Sequence, residues 1–136
     1  MTRRRRWAIL GLLSAVSIAV GYFSIGDRQR GPAAVVAVKV PALTDDARAG
    51  GEVFDRLCSA CHGAHAAGSQ AGPPLVHLTY RPAHHADVVF SLAVQRGVPA
   101  HHWRFGDMPP VPAARADDLR VIVQYVRELQ RANGID

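Results

Sequence analysis

Three stretches of the chain carry apolar residues at helical spacing. In the first, Gly50, Val53, Phe54 and Leu57 fall on one face, and Thr44 or Asp45 can cap the helix that carries them. In the second, starting at Ala83 or His84 and ending at Arg96, the pattern puts Val88, Val89, Leu92 and Ala93 on the buried side, with Gly97 as the stop. The third, residues 117–132, has the clearest stripe: Leu119, Ile122, Val123, Val126 and Leu129, closed by Asn133 and Gly134. Between them, 63–78 and 99–112 read as loops, broken in the first case by Gly68, Gly72, Pro73 and Pro74. The pattern predicts an all-α fold with long loops over residues 44–136. A domain of that size has a small core of its own, and loops this rich in glycine and proline need something to pack on.

The front of the chain is different. Residues 7–26 contain no charge, and at ~1.5 Å per residue a helix of that length spans ~30 Å, one bilayer core. Arg3, Arg4, Arg5 and Arg6 precede the run and hold that end in the cytoplasm. Residues 1–26 therefore read as a single transmembrane anchor, and residues 27–136 as exported. The alternative is a cleaved signal peptide, leaving a soluble periplasmic protein, although Ser24-Ile25-Gly26 is a poor cleavage site. Residues 27–43 read as an extended tether with a random-coil reach of roughly 20 Å. Val35, Val36, Val38 and Val40 would alternatively make a short strand.

Charge changes the picture little. The chain carries +5 overall, but seven of its sixteen basic residues lie before Ala42. From Ala42 onward nine arginines face ten acidic residues. That balance leaves no footprint for nucleic acid.

Cysteine changes it more. The only two, Cys58 and Cys61, stand three apart and are followed by His62. Cys-Ser-Ala-Cys-His is the attachment pattern of c-type haem. Two thiols one helical turn apart can each add across one haem vinyl group, and the adjacent imidazole is then placed to ligate the iron. A thioredoxin-like pair would sit beside a βαβ pattern, which is missing, and a zinc site would need further ligands at matched spacing. For the second axial position, Met108 is the only methionine besides the initiator, and Pro109 and Pro110 stiffen its loop. A thioether in that position favours ferrous iron. A histidine in its place is the alternative.

From about Ala47 to its end the chain resembles the class I bacterial cytochromes c. Gly50 and Phe54 stand at that family's spacing before the first cysteine, with Ile122 and Tyr125 as their usual partners in the last helix. Gly72-Pro73 matches the family's Gly-Pro, whose proline carbonyl accepts a hydrogen bond from the proximal histidine, and Met108-Pro109 matches the axial Met-Pro. The resemblance implies a small all-α domain wrapped around one covalent haem c. It implies a single-electron carrier rather than an enzyme, working between redox proteins such as a quinol-oxidising complex, a terminal oxidase or a periplasmic reductase. With the anchor, it implies the bacterial inner membrane with the haem domain in the periplasm. A haem-based sensor and a haem subunit of a larger oxidase or reductase are the alternatives.

Further candidates surround this motif. Tyr80, Trp103 and Arg104 can donate hydrogen bonds to haem propionates. Leu75, Val76 and Phe105 are candidates for packing on the ring. His77, His84, His85, His101 and His102 exceed the plain family pattern. They are either polar loop residues, some of them contacting propionates, or parts of a second metal site suited to copper.

Overall fold

A computed structural model describes residues 35–136. The predicted anchor at 1–26, its cleavage alternative and the first half of the tether lie outside the described residues. Among the described residues no helix is long and apolar enough to cross a membrane.

Four α-helices form the domain: α1 (Asp45–Leu57), α2 (Ser59–His62), α3 (Asp87–Arg96) and α4 (Ala116–Ala132). Short 3-10 turns at Ala64–Ala66 and Leu78–Tyr80 punctuate the first long loop. No strand occurs among the described residues; a lone bridge pairs Val98 with Met108.

Thr44 caps α1 by accepting from the Ala47 amide at 3.3 Å, and Asp45 and Asp46 place negative charge at its positive end. Thr44 also donates its hydroxyl to Glu128 at 2.6 Å, so the cap of the first helix is bonded to the last. At the C-terminal end of α4, Gly134 and Ile135 close the helix. The Ile135 amide donates to the Gln130 carbonyl and the Gly134 amide to the Arg131 carbonyl, with Ile135 buried against the core.

The core lies where α1 crosses α4. Ala47, Val53 and Phe54 meet Ile122, Tyr125, Val126 and Leu129, all buried. Phe54 and Tyr125 rings are tilted at 5.5 Å. Gly50 sits at the crossing. A methyl group there would lie 1.9 Å from the Val121 carbonyl oxygen and 3.0 Å from Tyr125 Cβ. Only a residue without a side chain lets the two backbones come so close.

Three expectations about the elements are corrected. The second helix starts at Asp87 rather than Ala83 or His84. Residues before it turn instead, with the His84 and His85 amides both donating to the Arg81 carbonyl. Arg127 of α4 takes the His85 carbonyl and the Asp87 carboxylate, so a side chain from another helix decides where α3 begins. Val94 is the buried residue of α3, with Phe90 packed against the core, while Val88 is 60% exposed. Residues 35–43 are extended but neither strand nor free tether. The Val36 amide donates to Ala67, Lys39 exchanges two hydrogen bonds with Asn133, and Val36, Val38 and Leu43 pack on the core.

Candidate functional site

Helix α1 runs through Cys58 into the single turn of α2, which carries Cys61 and His62. His62 is buried, and its Nδ1–H donates to the Pro73 carbonyl at 2.8 Å. Burial lowers the imidazole below its ordinary value, against the raising effect of that bond. The ring is therefore neutral at neutral pH, with its proton on Nδ1 and its lone pair on Nε2. Pro73 is held by the approach of its neighbour. A Cβ on Gly72 would lie 2.8 Å from the Cys61 carbonyl oxygen.

His62 opens into a largely apolar cavity. Phe54 and Cys58 line it from α1 and the motif, Pro73, Leu75 and Tyr80 from the first loop, and Val89, Ala93 and Val94 from α3. Leu119, Ile122 and Val123 close it from α4, and Trp103, Phe105 and Met108 from the second loop. The cavity thus gathers both candidate axial residues, although they are 46 positions apart in sequence.

Met108 is held rigidly. Its amide and carbonyl each bond to Val98 at 2.9 Å, the Val111 amide donates to Val94 at 2.8 Å, and Asp107 accepts from the Ala100 amide at 2.8 Å. Pro109 and Pro110 stiffen the same segment. Val98 and Asp107 were not legible as positioning residues, because pairing across a loop leaves no periodic signal.

Most sequence candidates reach the cavity, but some do not. Pro73, Leu75, Tyr80, Trp103 and Phe105 line it, and so do His85, His101 and His102. Arg104 is exposed and outside the lining, since burial alternates along Trp103, Arg104 and Phe105 and turns the middle residue outward. Val76 is buried in the α1–α4 core instead. His77 and His84 lie outside the cavity wall, His77 edge-on to Trp103 at 5.1 Å. Cys61 is exposed and outside the lining, and Cys58, which lines the cavity, is partly covered. Burial, then the neighbouring Cys61, pushes the Cys58 thiol up to about 11. That is the opposite of what activates a thiol for exchange, and the βαβ setting of a dithiol catalyst is missing among the described residues.

Two residues of α4 were missed. Arg127, 5% exposed, donates to the Asp87 carboxylate and Tyr80 carbonyl at 2.8 Å each, to Gln130 at 2.5 Å and to the His85 carbonyl, and covers the Phe90 ring at 4.8 Å. Gln130, fully buried, donates to the Leu75 and Tyr80 carbonyls. Together they fix the loop that forms one cavity wall. Their signal was available, since both stand four residues after an apolar stripe position, Val123 and Val126, where a polar side chain must find partners inside.

The cavity suits a large flat apolar group with an acidic edge. Its lining is mostly apolar, and the buried Trp103 Nε1–H has no hydrogen-bond partner among the described residues, a donor that a carboxylate would satisfy. Burial raises the Tyr80 hydroxyl while the adjacent Trp103 indole pulls the other way, but the two make no well-formed hydrogen bond.

The family comparison agrees with this geometry. The cytochrome c family model matches residues 47–130, more than half of the chain, and the protein belongs to the cytochrome c family. Members bind haem c covalently, and the fold here is the family's small all-α domain. Haem-based electron transfer is the family's chemistry. No curated protein and no solved structure matches the chain.

Proposed function

We propose that this protein is a membrane-tethered single-electron carrier, with haem c joined through Cys58 and Cys61 and its iron held by His62 and Met108. The observation that carries the reading is the meeting of His62 and Met108 in one apolar cavity, with His62 Nδ1 committed to the Pro73 carbonyl. When bound, the haem supplies the ferric/ferrous couple. The protein's part is to hold that couple in one geometry. The Pro73 bond fixes the imidazole and raises its basicity, while Met108, a soft ligand on a clamped loop, favours the reduced state. The apolar wall keeps water away and limits reorganisation. Were His62 and Met108 both to hold the iron, no substrate would reach it.

Residues 1–26 would anchor the domain in the bacterial inner membrane, with the haem in the periplasm. Because residues 35–43 dock on the domain, at most eight residues, 27–34, separate the anchor from docked chain. At ~3.5 Å per extended residue that is under ~30 Å. Such a carrier serves partners close to its own membrane position, a quinol-oxidising complex, a terminal oxidase or a periplasmic reductase.

The test is carbon monoxide binding to the reduced, haem-loaded protein. The native spectrum stays unchanged, and Met108→Ala binds the gas promptly. Prompt binding by the native protein would make it a ligand-binding haem protein instead.

A further inference from the structure

The extra histidines separate into different roles. His77 is occupied: its Nδ1 accepts from the Thr79 amide at 3.2 Å, lies 3.0 Å from the Thr79 hydroxyl, and its ring packs on Trp103. His84, His85 and His102 instead bring three ligand nitrogens within 4.8 Å of one another, a group with no thiolate or carboxylate in it. Their ring centroids are 4.7, 5.4 and 5.2 Å apart in pairs, and the His101 ring lies 4.2 Å from that of His102.

Three further features suit these rings to a metal. The His85 Nδ1–H donates to the Thr79 carbonyl at 2.8 Å, which leaves Nε2 with the lone pair, the arrangement metal-bound histidines adopt. His101 repeats it with the Pro99 carbonyl at 2.8 Å. His84 and His102 stand exposed, open to an ion arriving from solvent. The cluster also forms a wall between two spaces. His85 and His102 line the haem cavity, while His84 and His102 line an outer hollow with His77, Leu78, Thr79 and Arg81.

We propose that His84, His85 and His102 bind one divalent transition-metal ion, copper(II) foremost, entering from the outer hollow. Imidazoles select copper and zinc, and copper leads the affinity order. At metal–nitrogen distances of ~2.1 Å, neighbouring ligand nitrogens stand ~3.0 Å apart in the square-planar arrangement copper(II) prefers and ~3.4 Å apart in a tetrahedral one. Closing from 4.8 Å takes small rotations, and His84 and His102 are exposed enough to make them. Arg81, whose guanidinium is tied to the Leu78 carbonyl at 3.1 Å, adds positive charge to the hollow and favours an anionic fourth ligand. His62 and Met108 take no part. A cation in this wall also stabilises reduced over oxidised iron, a consequence that rests on the haem reading, whereas metal binding does not.

The experiment is titration of the full-length, haem-loaded ferric protein with copper(II) at neutral pH, read by equilibrium dialysis and electron paramagnetic resonance. One equivalent binds with a dissociation constant below about 10 µM, and its copper signal shows nitrogen ligands. His84→Ala, whose side chain lies outside the haem cavity lining, weakens binding at least about tenfold. His65→Ala, on a ring bonded to Tyr125 at 3.2 Å, does not. Binding weaker than about 10 µM, a copper signal without nitrogen ligands, or a smaller effect of His84→Ala overturns the site. If His84→Ala fails to mature with haem, His84→Gln carries the same test.

Discussion

Replacing Gly50 by alanine isolates the geometry on which the domain rests. By propensity the change is favourable, since glycine inside a helix costs about 1 kcal/mol relative to alanine. The crossing with α4 opposes it. The added Cβ would sit 1.9 Å from the Val121 carbonyl oxygen and 2.5 Å from the carbonyl carbon, both backbone atoms that cannot rotate aside. Ordinary contact at 3.4 Å requires the helices to part by about 1.5 Å. A gap of even ~0.5–1 Å forfeits about a quarter to a half of each dispersion contact. Phe54, Ile122, Tyr125, Val126 and Leu129 all share that interface. Overpacking of this kind costs ~1–3 kcal/mol, and the parted interface puts Gly50→Ala at the upper end, for a net loss of about 2 kcal/mol after the propensity gain. For a domain of this size that lowers the melting temperature by roughly 8–16 °C. Gly51→Ala is the internal control. It has the same propensity gain, but its Cβ meets only the Tyr125 ring edge at 3.2 Å, which can give by a few tenths of an ångström. The assay is thermal unfolding of the haem-loaded proteins by far-UV circular dichroism. A Gly50→Ala protein that melts at or above the native temperature, or no lower than Gly51→Ala, refutes the reasoning.

Arg127→Met should destabilise the protein by ~1–3 kcal/mol in guanidinium denaturation, because it leaves the His85 carbonyl without its donor and the Tyr80 carbonyl with Gln130 alone. Arg127→Lys should rescue little of this, since one ammonium cannot reproduce the fork; full rescue would show that charge alone matters. Glu128 supplies a pH dependence. Burial pushes its carboxyl up, but hydrogen bonds from the Thr44 hydroxyl, Gln124 and the Thr44 amide outweigh it, and the folded value is lowered. A lowered folded value gives stability that is present above the unfolded value of ~4.3 and lost as pH falls through the folded one. Glu128→Gln should therefore flatten the fall in unfolding free energy below about pH 4.3, and an unchanged slope in acid titration would count against the network. Gly72→Ala should push the loop off the Cys61 carbonyl and lengthen the bond from His62 to Pro73. A less basic imidazole donates less to the iron, so potentiometry should show a higher reduction potential; an equal or lower one would contradict that role for the bond.

Much of the site could be read before any coordinates. Cys58, Cys61 and His62 lie within five residues of chain, and covalent chemistry demands that spacing whatever surrounds it. Pro73 and Met108 stood out through their neighbours, Gly72 and Pro109, and the structure brings His62 to the first and into one cavity with the second. The first and last helices were also legible, because amphipathic stripes report one flat packing surface.

The α3 region was not. Its first residue depends on Arg127, 40 positions away, which takes the Asp87 carboxylate and the His85 carbonyl. Its faces depend on serving a core and a cavity at once, so no single stripe describes it. The histidines likewise look equivalent along the chain. Only the turn at residues 81–85 and the return of the second long loop put His84, His85 and His102 together and give His77 to Thr79.

The primary sequence by itself determined the attachment motif, the two framing helices and the family, because those rest on local spacing and periodicity. The tertiary structure alone decided the start of α3, the clamp on Met108 and the grouping of the histidines. Each of those depends on hydrogen bonds between residues far apart in sequence, and such bonds leave no period to read.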